Sequence, residues 1–455
     1  MARIAFPLIM GMASYTVMQF CDRVFLSRYS SVAIQAALPS GSLAHTFVCF
    51  FQAVVGYSGT FAAQFFGAGH YFGCLRSTVQ GLWLSLLFWP LMILLVPLGF
   101  SFMALCGHAP EVLAAEKVYF KILTAGGIMP LLNVAIGGYF MGTGRTMVNF
   151  LANAAACSIN ILLNYIMIFG HWGFPELGIA GAAYATLISG GICFLLQSGA
   201  LFADSHVRSA LHQGHKGILA LDTALLRRIL SFGTPAGIQV LMDVGAFSVF
   251  ILLTGHMGPL SLTASNIAFS INHLAFAPLM AFGMATSTLV SQHMGGRNLR
   301  AANRAGYTGL KMGLVYMGFI GMTFLLFPRA YFELFKPANA VFSSDALLQT
   351  GRIMLYMMTG WGLLDTVTLV LGQALKGAGD TRFVMIYMSL ASWLLLIPGT
   401  LVLLWKGVGI LGLWGWLALY VAVLSLGFFR RWSRGSWRRI RLIGKFNRCL
   451  SGREF

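Results

Sequence analysis

Apolar residues dominate this chain in long runs that are separated by short polar segments. Each run holds about 20 residues or more, which lets a helix cross roughly 30 Å of hydrocarbon. The pattern predicts twelve transmembrane helices. The predicted spans are 5–26, 38–65, 78–103, 117–140, 148–169 and 179–203 in the first half of the chain, and 229–253, 263–291, 306–332, 351–375, 383–404 and 411–430 in the second.

The two halves repeat one another. A shift of 228 residues carries Pro7 onto Pro235, and the match continues without a gap for roughly eighty residues. A second match, at a shift of 235, carries Gly142 onto Gly377 and Gly144 onto Gly379. Each half holds an even number of spans, so the two repeats are parallel rather than inverted. Such repeats in an apolar chain are typical of transporters built of two related lobes.

The prediction is therefore an all-α polytopic membrane protein of twelve helices in two parallel six-helix repeats. Residues 1–203 form the N-terminal lobe and residues 229–430 the C-terminal lobe. The polar segment 204–228 is predicted to be a solvated cytoplasmic linker. The basic tail, 431–455, is expected to lie on the inner leaflet, with Trp432 and Trp437 at the lipid surface.

Composition and charge support a membrane location. The 455 residues are 58% hydrophobic and 9% charged, with a mean hydropathy of +0.79, whereas soluble proteins carry about 25% charged residues. The net charge is +18, and nine of the 30 Lys and Arg residues lie between Arg430 and the C-terminus. Most others fall in short loops between spans. This distribution predicts cytoplasmic N- and C-termini and argues against a nucleic-acid partner.

Three acidic residues lie well inside apolar spans: Asp22 in span 1, Asp243 in span 7 and Asp365 in span 10. A carboxylate at such a depth costs about 2.5–3.5 kcal/mol on insertion scales, so each is a candidate functional group. Low dielectric penalises the charged form. Such a group can accept a proton, or bind sodium together with other oxygens. The structural alternative is an ion pair, for instance between Asp22 and Arg23.

Span 5 carries four asparagines, Asn149, Asn153, Asn160 and Asn164, whose spacing places them on one helical face. Amides in hydrocarbon need partners, so this face is expected to contact protein or water. Asn160 and Asn164 are candidates for a site, and structural bonding between helices is the alternative. His45 and His273 occupy equivalent places in the two repeats, which favours a packing or capping role for both.

Other function classes lack their sequence signals. The glycine-rich segments at 142–144 and 377–379 are not followed by Lys-Ser or Lys-Thr, so neither predicts a phosphate loop. The seven Cys residues include no Cys-x-x-Cys pair, which argues against zinc. An intramembrane prenyl transferase would need Asp-rich motifs that hold magnesium, and Asp-x-x-Asp does not occur. No filter-like repeat favours a channel, so we predict no enzymatic activity and no cofactor.

The chain resembles the multidrug and toxic compound extrusion (MATE) family over nearly its whole length. The resemblance rests on short segments in a specific order, which are 19–26, 64–69, 168–170 followed by 175–178, 181–186 and 375–381. It implies two six-helix lobes that form a V around a central cavity. It also implies export of organic cations against inward sodium or protons. We expect a monomer, surrounded by lipid in the plasma (inner) membrane.

The resemblance also assigns site residues. Asp22 matches the family's first-helix acid, and Asp243 and Asp365 match the seventh- and tenth-helix acids, which resemble the Na⁺ site of the sodium-coupled NorM branch. Asn160, Asn164 and Thr186 fall where proton-coupled relatives keep a network around the first-helix acid. Asn164 stands where the archaeal pattern has Asp, so this network is not expected to carry proton coupling alone. The coupling ion remains open between Na⁺ and H⁺.

A lipid-linked precursor flippase of the same superfamily is the alternative function. Such flippases tend to line their cavity with several basic residues that bind pyrophosphate. The candidate groups here are acidic, which favours a cationic substrate.

Overall fold

The computed structural model describes residues 1–212, 218–257, 259–335 and 344–443. Within these ranges the chain is helical almost throughout and contains no β-strand. Twelve segments are long and apolar enough to cross a membrane. The predicted all-α class and the number of spans are confirmed.

The helices follow the order of the predicted spans, and a few short helices lie between them. The first half contains α1 (Ala2–Tyr29), α2 (Ser31–Gly67), α3 (Tyr71–Leu94), α4 (Val96–Leu105), α5 (Pro110–Ala125), α6 (Ile128–Gly142), α7 (Thr146–Phe169), α8 (Gly178–Ala203) and α9 (Ser205–His212). The second contains α10 (Thr223–Thr254), α11 (Pro259–Gly295), α12 (Leu299–Leu326), α13 (Pro328–Phe335), α14 (Ser344–Ala378), α15 (Thr381–Leu390), α16 (Ile397–Trp405) and α17 (Ile410–Ser433). Helices α5 and α6 form one crossing, as do α15 and α16 with the π-helical turn Ala391–Leu396 between them.

The third and ninth predicted spans begin too late in the chain. Helix α3 starts at Tyr71 rather than 78, and α12 starts at Leu299 rather than 306. Polar residues near the start of each helix lower the local hydropathy, so these segments are assigned to loops. In the folded protein these polar side chains have hydrogen-bond or ion-pair partners. Arg76 forms an ion pair with Asp222 at 3.1 Å, and the Asn298 side chain caps α12 by accepting from the Ala301 backbone N–H.

The tenth span, formed by α14, extends further than predicted, and this changes the position of Lys376. The predicted span ended at 375 and left this lysine in an inner loop. Helix α14 instead runs to Ala378, so Lys376 lies in its last turn and is half-buried. The helix stops where Gly379 adopts a φ of +99°, a left-handed conformation that glycine tolerates.

The two halves share local structure as well as sequence. The His70 N–H donates to the Phe65 carbonyl at 2.9 Å, and 228 residues later the Asn298 N–H donates to the His293 carbonyl at 2.9 Å. Gly144 and Gly379, related by the shift of 235, both have positive φ. The backbone of the turn is therefore kept between repeats even where the residue type has changed.

The described residues cluster into two compact units. One consists mainly of Ala2–Gly237, and the other consists mainly of Ile238–Met294 and Asn298–Arg441. The second unit has a continuous apolar core that runs from Ala246 to Trp437 along the sequence. The division into lobes at 203 and 229 remains a prediction.

The linker is anchored to the first unit rather than free in solvent. In addition to the Arg76–Asp222 ion pair, Gln80 and Trp83 of α3 donate to backbone carbonyls of the linker, at Ala220 and Leu219. The His206 ring stacks on Tyr71, with ring centroids 4.1 Å apart. Most described residues of the linker are nevertheless exposed, so the solvated-linker prediction stays a prediction, and residues 213–217 lie outside the described ranges.

The start of the tail is also packed into protein. Trp432 and Trp437 are fully buried, and their rings stack with centroids 4.3 Å apart. The Trp437 indole N–H donates to the Trp432 carbonyl at 3.0 Å. The prediction that these two rings lie at a lipid surface is wrong, because both are buried in the apolar core of the second unit. Residues 444–455 of the tail lie outside the described ranges.

Gly377 marks a close approach between helices of the second unit. A Cβ atom at this position would lie 2.4 Å from the Ser287 backbone oxygen on α11. We expect Gly377→Ala to reduce stability by about 1–3 kcal/mol, as overpacking of a well-packed interior does. Gly360→Ala is the control, since it changes the same helix at a position with open space within 4 Å. The measurement is thermal unfolding of each purified protein in detergent, and equal melting temperatures would contradict the prediction.

Each half has an ion pair that joins the loop after its fourth span to the end of its sixth span, with the charges exchanged. In the first half, Arg145 in the loop pairs with Asp204 after α8. In the second half, Asp380 occupies the position equivalent to Arg145 and binds Arg431 of α17 through two hydrogen bonds, at 2.7 and 3.2 Å. The contact has been kept while its polarity has reversed.

This reversal predicts the result of a charge swap. We expect Asp380→Arg to cost about 1.5–3 kcal/mol of stability, because it removes a charge-assisted contact and places two cations together. The double variant Asp380→Arg/Arg431→Asp should recover most of this loss, since the first half already uses that polarity. Melting temperatures of the wild type, both single variants and the double variant test this, and an additive loss would contradict it.

Candidate functional site

Asp22 lies in a cluster of amides in the first unit. Its half-buried side chain projects from α1 towards α7, where Asn160 and Asn164 are both fully buried. The Asn164 side-chain nitrogen donates to Asp22 Oδ1. It also contacts the Asn160 side-chain oxygen at 3.0 Å. The structure therefore brings these three predicted residues together.

The Asn160 amide fits this cluster in two orientations. With its oxygen towards Asp22, it accepts from Asn164, and its nitrogen donates to Ser189 Oγ at 3.4 Å. In the reverse orientation its nitrogen donates to Asp22 Oδ1 at 3.0 Å, and its oxygen accepts from the Thr186 backbone N–H at 3.3 Å. The first orientation suits a protonated carboxyl that can donate to an amide oxygen, and the second suits an ionised carboxylate.

Thr186 takes part in this cluster through its backbone. Its hydroxyl donates to the Ala182 carbonyl at 3.0 Å within its own helix. Only its N–H faces Asn160. Two phenols that sequence reasoning missed, Tyr15 of α1 and Tyr119 of α5, interact electrostatically with Asp22. Their positions follow from helix packing and carry no sequence signal of their own.

The other polar groups of the span 5 stripe have structural partners. Asn149 donates to the Gly137 carbonyl at 2.8 Å, and Asn153 donates to the Asn149 carbonyl at 2.7 Å. Arg23 is exposed, and among the described residues no ion pair joins it to Asp22. The stripe thus divides into a structural end and an end that surrounds the carboxylate.

Asp243 and Asp365 both lie in the second unit, on α10 and α14. Both side chains are half-buried, and their carboxylates interact electrostatically. The phenol of Tyr420 on α17 interacts with both carboxylates and shares a hydrogen bond of 2.7 Å with the Ser392 hydroxyl. Two carboxylates and a phenol oxygen are hard oxygen ligands of the kind that bind small cations. Among the described residues, no group of three or more His, Cys, Asp or Glu side chains has the arrangement of a metal site.

The π-helical turn Ala391–Leu396 positions part of this site. It carries Ser392, which bonds Tyr420, and Trp393, whose indole N–H donates to the Met242 carbonyl at 3.2 Å. Met242 directly precedes Asp243 on α10. Single π turns inside α-helices are common at functional sites, because the inserted residue redirects neighbouring side chains. Hydropathy does not reveal such a turn.

Lys376 brings a positive charge to the same site. Its ammonium group donates to Gln239 Oε1 of α10 at 3.2 Å, and it interacts electrostatically with Asp243. A second lysine, Lys311, lies exposed within α12 and lines a groove of about 370 Å³ with Phe282 and Tyr316. Both lysines could have been identified in the sequence, because each is a charged residue inside or at the end of an apolar run. The same pattern identified the three acids.

His45 and His273 do not join either cluster of acids. Both side chains are exposed on their helices, α2 and α11, at equivalent places in the two repeats. The predicted packing or capping role of these two residues stays a prediction.

Comparison with known proteins identifies what the chain is similar to. The MatE family model matches residues 7–166 and 235–402, which are the two repeats. A probable multidrug resistance protein NorM of Pseudomonas putida is 28% identical over 454 residues, with 97% of this chain and 95% of that protein covered. A protein of the same description from Bradyrhizobium diazoefficiens is 28% identical and covers 90% of this chain and 88% of its own.

Solved structures give the same fold. An outward-facing multidrug resistance MATE family transporter of the MOP superfamily has a TM-score of 0.85 at 20% identity, with 97% of this chain and 96% of that chain covered. A MOP superfamily transporter from Pyrococcus furiosus, described as having a binding pocket of reverse polarity, has a TM-score of 0.84 at 20% identity.

Proposed function

This chain belongs to the MatE family of multidrug and toxic compound extrusion transporters, and from that premise we propose that it exports cationic and amphiphilic drugs in exchange for inward Na⁺ or H⁺. It is a multi-pass membrane protein and a transporter rather than an enzyme. The observation that carries the proposal is the pair of acidic clusters, one in each unit, at membrane depth.

The acidic character of both clusters supports a cationic substrate. Asp22 has amide and phenol neighbours, and Asp243 and Asp365 share a phenol. Carboxylates attract organic cations and coupling ions, and the phenol rings provide faces on which a cation can lie. Pyrophosphate, which a lipid-linked precursor flippase must bind, would be repelled by these groups. We therefore favour drug export over the flippase function.

The energy available from an ion gradient is sufficient for drug export. One charge that moves inward down about 150 mV releases roughly 3.5 kcal/mol, scaled from about 2.3 kcal/mol per 100 mV. At about 1.4 kcal/mol per tenfold, this sustains a substrate gradient of a few hundredfold. We propose Asp243 and Asp365 as the Na⁺ site, and Asp22 with Asn160, Asn164 and the Thr186 N–H as a second, proton-sensitive site.

The distribution of charge supports a plasma (inner) membrane protein with both termini in the cytoplasm. Basic residues concentrate in the linker, in the turns near Arg145 and Arg297, and in the tail after Arg430. The positive-inside rule places such segments on the cytoplasmic side. We propose that the chain acts as a monomer.

Transport into inside-out vesicles tests the proposal. Ethidium or norfloxacin uptake should be driven by an imposed sodium gradient, a proton gradient or both, each applied separately. Vesicles without the protein, and vesicles carrying the Asp243→Asn/Asp365→Asn double variant, are the controls. Transport of a lipid-linked pyrophosphate, with no drug transport under either gradient, would favour the flippase instead.

A further inference from the structure

We propose that Lys376 is a built-in counter-ion of Asp243 that competes with the coupling cation for this carboxylate and thereby promotes its release. This inference rests on the proposed function, because it takes the second-unit carboxylates as the place where the coupling ion binds. It gives a role to the one cationic side chain that reaches these acids among the described residues.

Helix register places the relevant groups in two rows. Asp365 and Lys376 are eleven residues apart on α14, which is close to three full turns, so they lie on the same face about 16.5 Å apart along the helix axis. Gln239 and Asp243 are four residues apart on α10 and also share a face. The hydrogen bond of 3.2 Å between Lys376 Nζ and Gln239 Oε1 joins the two rows.

Asp243 therefore interacts with charges of opposite sign. Asp365 is an acid and Lys376 a base, and the Tyr420 phenol interacts with both carboxylates. Two acids in a low-dielectric site need a positive charge, and a buried charge without one is strongly unfavourable. The coupling cation supplies that charge when it is bound. When it has left, the Lys376 ammonium can supply it.

Gln239 provides a second partner for the same ammonium group. Its side chain is nearly buried, at 5% exposed, and its amide oxygen accepts from Lys376. An ammonium group has three donors, so it can be shared between this oxygen and the Asp243 carboxylate. When a cation binds at Asp243, it repels the Lys376 ammonium group, which then bonds mainly to the Gln239 oxygen. When the cation leaves, the ammonium group returns to the Asp243 carboxylate.

The counter-ion belongs to the second repeat alone. Under the shift of 235, the residue equivalent to Lys376 is Met141, and under the shift of 228 the residue equivalent to Asp243 is Tyr15. The first unit therefore keeps neither the acid nor the base of this pair. The competition that we propose is a property of the second-unit site and not of the repeat architecture.

Two substitutions should change cation affinity in opposite directions. Lys376→Gln removes the competitor, so the Kd for sodium should fall by about tenfold or more, the effect of losing one charge-assisted contact. Gln239→Leu removes the alternative partner of the Lys376 ammonium group. Lys376 then interacts with Asp243 more strongly, so the Kd for sodium should rise. Lys376→Arg keeps the charge and should stay near the wild-type value. Binding of radiolabelled sodium to the full-length protein in detergent, at neutral pH, measures all four proteins.

Turnover distinguishes competition from a structural role. In reconstituted vesicles Lys376→Gln should bind sodium more tightly and yet transport drug more slowly, because the ion leaves more slowly. A lysine with only a structural role would lower affinity and transport together, which would overturn the inference. If protons are the coupling ion, the pH midpoint of transport should shift to higher pH in Lys376→Gln and to lower pH in Gln239→Leu.

The outcomes separate this inference from the proposed function. If the wild type binds sodium, or shows a pH-dependent transport midpoint, and neither variant changes it, the inference is wrong and the proposed function stands. If the wild type shows neither sodium binding nor ion-driven transport, the proposed function fails first. If Lys376→Gln does not fold, the Gln239→Leu result still decides, since an unchanged or lower Kd in that variant contradicts competition.

Discussion

We expect Asp365→Asn to abolish gradient-driven drug efflux while leaving drug binding measurable. Asparagine keeps the shape of the side chain but removes the charge that a coupling cation must neutralise, and it cannot carry a transferable proton. A charge-assisted contact is worth about 1.5–3 kcal/mol, which corresponds to roughly ten- to a hundredfold in ion affinity. Efflux should therefore fall by at least about tenfold in vesicles with either gradient.

A matched control for this prediction is Asp380→Asn. It also neutralises an acid of the second unit, but Asp380 is the ion-pair partner of Arg431. This variant should melt at a lower temperature while retaining efflux per folded molecule. Full drug resistance in a susceptible host that carries Asp365→Asn at normal expression would contradict the prediction.

The second expected result concerns Asp22→Asn, which should lower the affinity for cationic drugs and remove the pH dependence of drug binding. In the wild type, affinity should rise with pH, because the carboxyl loses its proton and its negative charge attracts the drug. The variant carries no charge at any pH, so its binding should be weaker, by about tenfold at alkaline pH, and flat. Drug binding to purified protein, from mildly acidic to mildly alkaline pH, is the measurement.

The amides around Asp22 provide a way for protonation of its carboxyl to affect the contacts of neighbouring helices. In one orientation the Asn160 oxygen faces Asp22, where it can accept only from a protonated carboxyl. In the other, the Asn160 nitrogen donates to Asp22 Oδ1 and its oxygen accepts from the Thr186 N–H. A ligand or proton shifts a conformational equilibrium only by its differential affinity for the two states. A reversal of the amide on protonation would give the proton such a difference, because the Asn160 partner on α8 would change from Ser189 to the Thr186 N–H.

Asn153→Ala is the matched control for Asp22→Asn. It removes an amide from the same stripe of α7, one that bonds the Asn149 carbonyl and the Cys193 thiol rather than Asp22. The pH profile of this variant should match the wild type. If Asp22→Asn leaves the pH profile unchanged, coupling belongs to Asp243 and Asp365. If it mainly reduces expression, Asp22 has a structural role, such as its hydrogen bond with Asn164.

The fold class, the twelve crossings and the parallel repeats could all be predicted from the linear pattern of residues. These features depend on the length and apolar character of each run and on residues that recur at a fixed shift, and both are properties of the chain read in one dimension. The three intramembrane acids were also visible, because a carboxylate at membrane depth is costly wherever its helix packs. Span limits failed where polar residues such as Arg76 and Asn298 find partners in the protein, and other helices, such as α2 and α10, also begin before their predicted spans.

Only the tertiary structure decided which polar groups meet. Asp22 is equivalent by repeat to Phe250, and Asp243 to Tyr15, so symmetry does not locate the partners of either acid. Contacts such as Lys376 with Gln239 depend on where two helices cross and how each is rotated about its axis. The same holds for the burial of Trp432 and Trp437, whose composition resembles that of a lipid-surface segment. A linear pattern specifies which residues need a partner, and the packing of helices specifies which partner each one finds.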